Sequence, residues 1–419
     1  MRERVKQRKQ NMKIYSLYRM LSTDHIFFYA IDFIFLTQIK NLSAADIVLS
    51  QSFFALSTTL LQIFVVIIID KLGKRLSISL ANLFLGIHVL LIMRCESVGM
   101  LFLAQFIDAI GFSIKDSADT SLLNNSIPET PEKGELFSKI EGKGTKNFYY
   151  LSAISAIIAG WLYNINPYIP LTFSFSTSII SAFIALGFSE LKEENEEKET
   201  LLGYVKNLKE AFKFIFKSER LKALLLYSGI FNGIFYLMNT YIISLLEELG
   251  AVAIIIAGFT FLKSIASGVG SNKQLDFHNK FKNTSLSKIL IIILICIFVI
   301  GGSSLIKLDF VYSLVIITIA ALVIFFVKGV HDVLTVRYLQ NFTNEIILPK
   351  IYAVNSFSRN ASRIIISFVG SYFLRITNTG NAILLVGIMF FLIVIALILY
   401  MKPRVGLNPE EYNEKEINF

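Results

Sequence analysis

The sequence predicts an all-α membrane protein in which twelve transmembrane helices form two pseudo-symmetric six-helix bundles, with both termini in the cytoplasm. Three observations lead to this fold class: 54% of the 419 residues are hydrophobic, the mean hydropathy is +0.62, and apolar stretches fill most of the chain. A helix of about 20 apolar residues spans the roughly 30 Å hydrocarbon core and satisfies its own backbone hydrogen bonds. Function must then be sought in the polar residues within these stretches.

The apolar stretches fall into two halves of six spans. We place the spans at 16–38, 46–69, 76–94, 98–120, 147–163, 168–188, 221–246, 251–270, 288–305, 310–332, 351–374 and 381–401. The corresponding domains are an N-terminal bundle at 1–188, a linker at 189–220, a C-terminal bundle at 221–402 and a cytoplasmic tail at 403–419.

The linker combines two patterns. A mixed-charge run extends from Lys192 to Glu199, and apolar residues then recur at helical spacing from Leu201 to Phe216. This spacing predicts an amphipathic helix on the cytoplasmic side. A solvated linker that rests on the membrane surface explains the same pattern and is the simpler interpretation.

The basic residues orient the protein in the membrane. The chain has 40 Lys and Arg against 31 Asp and Glu, a net charge of +9. Most of the basic residues fall in segments that the span assignment places in the cytoplasm, which is the positive-inside bias. We therefore expect no nucleic-acid partner. Instead we expect a multi-pass protein of the cell membrane, and the many Ile, Lys, Asn and Phe residues are typical of a bacterium.

Cysteine and histidine usage predicts no metal centre and no cofactor. Cys95 and Cys296 lie in different halves, so they provide no disulfide framework and no zinc spacing. The histidines are scattered, without the spacing of a metal or catalytic motif, at His25, His88, His278 and His331. No Walker-type phosphate loop is present either, which argues against a nucleotide-driven protein.

Span one and span four carry the candidates for proton or ion coupling. Asp24, His25 and Asp32 are spaced so that one continuous helix would place them on roughly one face, together with Tyr29. Asp108 lies midway along span four. An ionised carboxylate in hydrocarbon costs several kcal/mol, so these groups should face the bundle interior. Asp32 is the leading proton-binding candidate. A structural Asp–His pair that locks span one to its neighbours is the alternative.

Charged residues near the cytoplasmic end of span four are repeated in span ten. Lys115 and Asp119 are four residues apart, and so are Lys328 and Asp332. Lys before Asp is the weaker orientation within one helix, so we expect partners on other helices or on the basic loop at Lys71–Arg75. We interpret these residues as an inner gate whose ion pairs break when the cytoplasmic side opens, and static ion pairing is the alternative. The same gate would include Asp116, His331, Arg359 and Arg363.

Span seven carries a polar stripe at helical spacing. Asn232, Tyr236 and Asn239 would line a substrate cavity together with Tyr29 and with Lys263 of span eight. For Lys263, neutralising Asp32 or Asp108 is the alternative. Hydrogen bonding between neighbouring helices also explains the stripe and is the simpler interpretation.

The turn between spans two and three reads DKLGKR, from Asp70 to Arg75. It resembles the signature loop of the major facilitator superfamily, which has the pattern Gly-x-Leu-Ala-Asp-Arg-x-Gly-Arg-Lys, with Val66 in place of the leading glycine. The resemblance implies a fold of two six-helix bundles and a loop that works as a conformational latch. That latch would consist of Asp70, Gly73, Lys74 and Arg75.

A second resemblance points to one branch of this superfamily. The runs from Ser117 to Asp119, Phe137 to Gly142 and Ala159 to Leu162 look like a bacterial multidrug-efflux-like branch of the superfamily. Two departures argue against the usual drug/proton antiport. Gln105 replaces the arginine of the antiporter motif in span four, and the Gly-Pro motif of span five is absent.

These features predict a secondary active transporter that works by alternating access, as a proton-coupled efflux protein. A solute-uptake symporter, a uniporter and a lipid-type flippase of the same fold are alternatives. A membrane enzyme or a receptor is disfavoured. The expected partners are a small-molecule substrate, protons or another cation, and the lipid bilayer, and we expect a monomer.

Overall fold

The computed structural model describes residues 2–128, 130, 133–191, 201–306, 309–343 and 348–405. Within these ranges the secondary structure is helical, without strands. The predicted mixed-charge run from Lys192 to Glu199 and the tail from residue 406 onward lie outside the described residues. The chain folds into two compact units.

The first unit consists of Met1–Leu42, Phe53–Tyr204 and Ala253–Phe261. Helix α1 packs against α6 and α7, and α4 packs against both α5 and α7. A buried core that includes Tyr15, Tyr18 and Phe188 holds α1 to these neighbours. From Arg2 to Leu186 the helices are α1 (Arg2–Ser22), α2 (Asp32–Ile34), α3 (Ala44–Leu72), α4 (Lys74–Met93), α5 (Val98–Ser126), α6 (Lys133–Ile165) and α7 (Tyr168–Leu186).

The second unit consists of Ser43–Ser52, Val205–Val252 and Leu262–Phe419. Within it α9 packs against α14, and α12 packs against α13 and α15. From Leu201 to Met401 the helices are α8 (Leu201–Lys217), α9 (Glu219–Glu248), α10 (Ala253–Asn272), α11 (Gln274–Phe281), α12 (Ser285–Leu305), α13 (Phe310–Asn341), α14 (Leu348–Ile376) and α15 (Thr379–Met401). The start of α3 belongs to this unit, and the starts of α8 and α10 belong to the first.

Helices α10 and α13 approach each other closely because each has a glycine where they cross. A Cβ atom on Gly329 would overlap the carbonyl oxygen of Ser267, and one on Gly270 would overlap that of Phe326. Small residues of this kind let two backbones come into contact. The contact fixes the position of the part of α13 that carries Lys328.

Ten described helical segments are long and apolar enough to cross a membrane, and they correspond to the predicted spans two to ten and span twelve. Span eleven is the helix α14, and span one begins in α1. Neither meets the same criterion of length and hydropathy, so the total of twelve spans and the cytoplasmic position of the termini stay predictions.

Span one is not the continuous helix that the sequence predicted at 16–38. Helix α1 ends at Ser22, and residues 23–31 form turns, which we call the α1 break. The helix resumes at Asp32 as the short α2 and continues as a π-helical turn at Phe35–Ile39. Within the break, Phe27 has a φ of 70°, a backbone conformation that costs energy for a residue with a side chain. The expectation that Asp24, His25 and Asp32 share one helix face is therefore wrong.

Candidate functional site

A buried lysine replaces the missing helical hydrogen bonds at the α1 break. The last carbonyl groups of a helix have no partner within the helix and need donors from elsewhere. Lys115 of α5 is fully buried, and its Nζ donates to the carbonyl oxygen of Ser22 and, at 3.0 Å, to that of Thr23. Its ammonium group also lies over the ring of Phe112, 4.9 Å from the centroid. A positive charge at this end of α1 also complements the helix dipole.

Beside the break, two histidines and one carboxylate form a cluster, which we call the His–Asp cluster. His25 Nε2 lies 2.8 Å from Asp108 Oδ1. The ring of His88, from α4, stacks on that of His25 with 4.9 Å between centroids. The three residues are 7%, 6% and 2% exposed for His25, Asp108 and His88, so water does not screen their charges.

Aromatic rings surround the His–Asp cluster. Phe112 meets the His25 ring edge to face at 5.7 Å between centroids, and Phe28 contacts both histidines. Apolar neighbours lower the local dielectric, which strengthens the attraction between His25 and Asp108 and raises the cost of leaving either one unpaired.

Asp119 belongs to a second network that joins α5 to α1 and α6. Its Oδ1 accepts a hydrogen bond from Tyr18 at 2.9 Å, and its Oδ2 lies 3.4 Å from Nη1 of Arg19. Arg19 also pairs with Glu141 at 2.9 Å, and Tyr15 donates to Glu141 at 2.7 Å. The predicted pairing of Lys115 and Asp119 with partners on other helices is therefore confirmed, since both bind to α1 or to its end.

The other predicted residues of the first unit lie around these networks. Asp24 accepts a hydrogen bond from the backbone N–H of His25 at 2.7 Å. Asp32 is half-buried and accepts one from the N–H of Phe33 at 2.6 Å, at the point where the helix resumes. Tyr29 is half-buried within the α1 break, whereas Asp116 is exposed on α5.

The turn between α3 and α4 has a partner that the sequence did not indicate. Gly73 has a φ of +80°, which favours glycine, and it precedes the first residue of α4. The backbone N–H groups of Lys74 and Arg75 donate to the carboxylate of Glu190 at 2.9 and 2.8 Å. A carboxylate at a helix N-terminus is stabilised by the free N–H groups and by the dipole. Asp70 itself is exposed.

In the second unit, His331 lies in a neutral network. Its Nδ1 is 3.0 Å from the hydroxyl of Tyr227, and its Nε2 is 3.3 Å from Nδ2 of Asn232. The imidazole stacks on the ring of Phe231 at 3.6 Å between centroids. This polar cluster links α9 to α13 without a carboxylate among these contacts.

The remaining predicted residues of the second unit contact one another in pairs. Lys328 and Asp332 form an ion pair within α13, so the expectation that this Lys–Asp pair finds its partners on other helices is wrong. Lys263 is buried, and its Nζ donates to Oδ1 of Asn239 at 3.1 Å. The guanidinium group of Arg363 lies over the ring of Tyr236 at 4.2 Å from the centroid, and Arg359 is half-buried on the same helix, α14. The polar stripe of α9 thus contacts α10, α13 and α14.

The fold and the buried charges define a polytopic helical membrane protein in which buried polar and charged side chains form networks within each helical unit. The family model of the Major Facilitator Superfamily matches residues 20–330, so the chain belongs to this superfamily. Family and fold point to a membrane transporter rather than to an enzyme, as predicted. Membrane embedding and a small-molecule substrate are general to such transporters.

Solved structures share the fold at low sequence identity. A crystal structure of the nucleoside transporter NupG matches with a TM-score of 0.71 and 12% identity, over 94% of this chain and 99% of that one. A crystal structure of a bacterial homologue of the human lysosomal transporter Spinster, inward-facing and unoccupied, matches with a TM-score of 0.61 and 14% identity, over 98% and 97%. Comparison with curated proteins by sequence finds no match.

Sequence reasoning missed three functional candidates, which are His88, Glu190 and the Tyr18–Arg19 pair. His88 and Glu190 are far in sequence from the residues that they contact, and no local sequence pattern indicates such contacts. The signal for Arg19 was present, because a basic residue at position 19 lies close to the predicted start of span one and needs a buried acid there.

Proposed function

We propose that this chain is a proton-coupled efflux transporter of the bacterial cell membrane, working by alternating access as a monomer. The observation that carries the proposal is the α1 break, where the helix stops at Ser22 and resumes at Asp32 within a predicted membrane span. Discontinuous helices form the substrate and ion sites of many transporters, because their ends provide unpaired backbone groups. Irregular backbone at membrane depth is tolerated only where protein buries it or where it lines a wet cavity.

We assign proton binding to Asp32. It is half-buried at the first turn after the α1 break, so a change in the conformation of the break alters its surroundings. A carboxyl group that moves between wet and apolar surroundings binds and releases a proton, because only the ionised form needs water. Of the other predicted coupling residues, we treat His25 and Asp108 as a cation site, with Asp24 next to it.

The gate assignment follows the contacts within each unit. Lys115, Asp119 and Arg19 hold the end of α1 to α5, and we propose that this attachment changes when the cytoplasmic side opens. Asp116, Lys328, His331, Asp332, Arg359 and Arg363 complete the proposed gate, and Asp70, Gly73, Lys74 and Arg75 form its latch, whose partner in the described state is Glu190.

We infer that the substrate is an amphipathic small molecule, which rests on the resemblance to the efflux-like branch. Tyr29, Asn232, Tyr236, Asn239 and Lys263 are the proposed substrate contacts. The likeness to a nucleoside transporter makes nucleosides the second class to test. At 12% identity that likeness supports the fold, and it gives a reason to include nucleosides among the test compounds.

The test is transport into and out of proteoliposomes under an imposed pH gradient, with amphipathic cations and nucleosides as the first compounds. We expect Asp32→Asn to abolish gradient-driven flux while exchange of the same compound without a gradient persists. The asparagine keeps the size of the side chain and loses the carboxyl group that binds and releases a proton. The direction of accumulation distinguishes efflux from uptake.

A matched control is Asp276→Asn, which removes an exposed carboxylate of α11 whose ion-pair partner, Lys273, lies on the surface nearby. It should transport like the wild type. Gradient-driven flux that survives Asp32→Asn would remove Asp32 from the coupling role, and flux that ignores the pH gradient in the wild type would end the proton-coupling proposal.

A further inference from the structure

We propose that His25, His88 and Asp108 form a binding site for a divalent transition-metal ion of the zinc class. The ion would bind at the cation site beside the α1 break. The inference does not depend on proton binding at Asp32, because metal binding is measured without transport. It explains the presence of His88, which the ion pair between His25 and Asp108 does not require.

The ligand atoms are close to the spacing that such an ion needs. One ligand atom from each of the three residues lies within 4.8 Å of the other two, and the His25–Asp108 distance is 2.8 Å. Zinc has bonds of about 2.0–2.2 Å and tetrahedral angles, so its ligand atoms stand roughly 3.4 Å apart. The 2.8 Å distance and the 4.8 Å limit lie on either side of this separation, so the three ligand atoms are grouped closely enough for one ion.

The hydrogen bonding of His88 prepares it as a ligand. Its Nδ1 lies 2.9 Å from the carbonyl oxygen of Ala104. A carbonyl oxygen only accepts, so Nδ1 carries the hydrogen, and the neutral ring then has its lone pair on Nε2. Histidines that bind metals commonly donate their other N–H to a backbone carbonyl or a carboxylate, which fixes the tautomer and the ring orientation. His88 has this arrangement.

The donor set selects the class of ion. Imidazole nitrogen suits zinc, copper, iron and nickel, whereas magnesium and calcium prefer oxygen ligands alone. Two imidazoles and one carboxylate leave one position of a tetrahedral ion open for water or for another ligand. The site would therefore be an open one rather than a closed structural centre.

The surrounding charges are compatible with a cation. Asp108 supplies one negative charge directly, and Asp24 supplies a second next to His25. The ammonium group of Lys115 is also near, but it is bonded to the carbonyl oxygens at the end of α1. Bound metal would also balance the carboxylate of Asp108, which is buried among aromatic rings.

The experiment is a titration of the purified, chelator-treated full chain with Co²⁺, which reports tetrahedral coordination through its visible absorption bands. We expect one equivalent to bind and Zn²⁺ to displace it. His88→Asn keeps a donor for the Ala104 carbonyl and loses the Nε2 ligand. Its affinity should fall by more than the roughly 10- to 100-fold that is typical for loss of a residue that only orients a ligand.

The matched control is the substitution His278→Asn. His278 is a buried histidine of the second unit, and its Nδ1 forms a hydrogen bond with Ser285. The substitution should leave Co²⁺ binding unchanged. X-ray absorption at the zinc edge of the wild type supplies a test without any variant. We expect a shell of nitrogen and oxygen at about 2.0–2.1 Å with two imidazoles.

Absence of tetrahedral Co²⁺ bands, equal affinity of His88→Asn and the wild type, or a sulfur neighbour at the zinc edge would each overturn the proposal. The two proposals fail separately. Asp32→Asn should lose gradient-driven flux and keep Co²⁺ binding, and His88→Asn should lose Co²⁺ binding whether or not flux persists.

Discussion

The ends of α5 and α13 carry the same charge pattern, and they use it differently. In α5, Lys115 and Asp119 both turn to α1, where the lysine binds two backbone carbonyl groups and the aspartate binds Tyr18 and Arg19. In α13, Lys328 and Asp332 pair with each other. Equal spacing therefore does not give equal contacts.

The difference lies in the neighbouring helix. Helix α1 ends at Ser22, so its last carbonyl groups need a donor, and Lys115 supplies it. Helix α9, against which α13 packs, runs without interruption from Glu219 to Glu248, so its carbonyl groups are satisfied within the helix. Helix α9 therefore offers Lys328 no unpaired carbonyl group, and the lysine pairs with Asp332, one turn away in α13.

The largest expected effect in this comparison is that of Lys115→Met. Methionine fills a similar volume, but it leaves the carbonyl groups of Ser22 and Thr23 buried without a donor. Each bond to a charged donor contributes about 1.5–3 kcal/mol, and removal of the buried charge offsets part of the loss. We expect the free energy of unfolding to fall by about 3 kcal/mol, measured by chemical denaturation in detergent. A loss no greater than that of Lys328→Met would contradict the capping role.

A smaller effect is expected for Asp119→Asn. The amide would present an N–H group to Arg19, and the hydrogen bond from Tyr18 would lose its charge. We expect a loss of about 1–2 kcal/mol in the same measurement. The matched variant Asp332→Asn changes a carboxylate that is 45% exposed, so it should stay within about 0.5 kcal/mol of the wild type. Similar losses in the two variants would mean that the two pairs are equivalent after all.

The smallest effect is expected for Lys328→Met. Its ion pair with Asp332 is a partly exposed pair within one helix, and such pairs contribute about 0.3–0.5 kcal/mol. The methionine retains packing against the ring of Phe235, over which the ammonium group now lies. A loss of more than about 1 kcal/mol would contradict this expectation and would mean that Lys328 has a further stabilising partner. Added salt, which screens the ion pair with Asp332, would then lower the stability of the wild type by less than the substitution does.

Much of the fold was predictable, because hydropathy over 18 or more residues is a strong signal. Spans two to ten and span twelve correspond to observed helices. The α1 break was not predictable, since residues 23–31 include Ile26, Phe27 and Phe28 and contain neither proline nor glycine. The break is held by Lys115, a residue more than 90 positions away.

The candidate site was predictable in its parts and not in its assembly. Asp108, His25 and Lys115 stood out because charged side chains in apolar stretches are costly. Their grouping with His88 depends on how α4, α5 and the α1 break pack, and a buried histidine in an apolar helix gives no indication of its neighbours. The repeated Lys–Asp spacing predicted a gate with equivalent contacts in the two halves, whereas the contacts of the two pairs differ.

The turns at residues 23–31 also allow the length of the connection between α1 and α2 to change. A residue in a helix advances the chain by 1.5 Å, and an extended residue advances it by up to about 3.3 Å, so nine residues outside a helix can take up or release several ångströms. A change in the position of α1 relative to Phe35–Ile39 would therefore be taken up in these turns, once the bonds of Lys115 to Ser22 and Thr23 and the ion pair of Arg19 with Asp119 have opened.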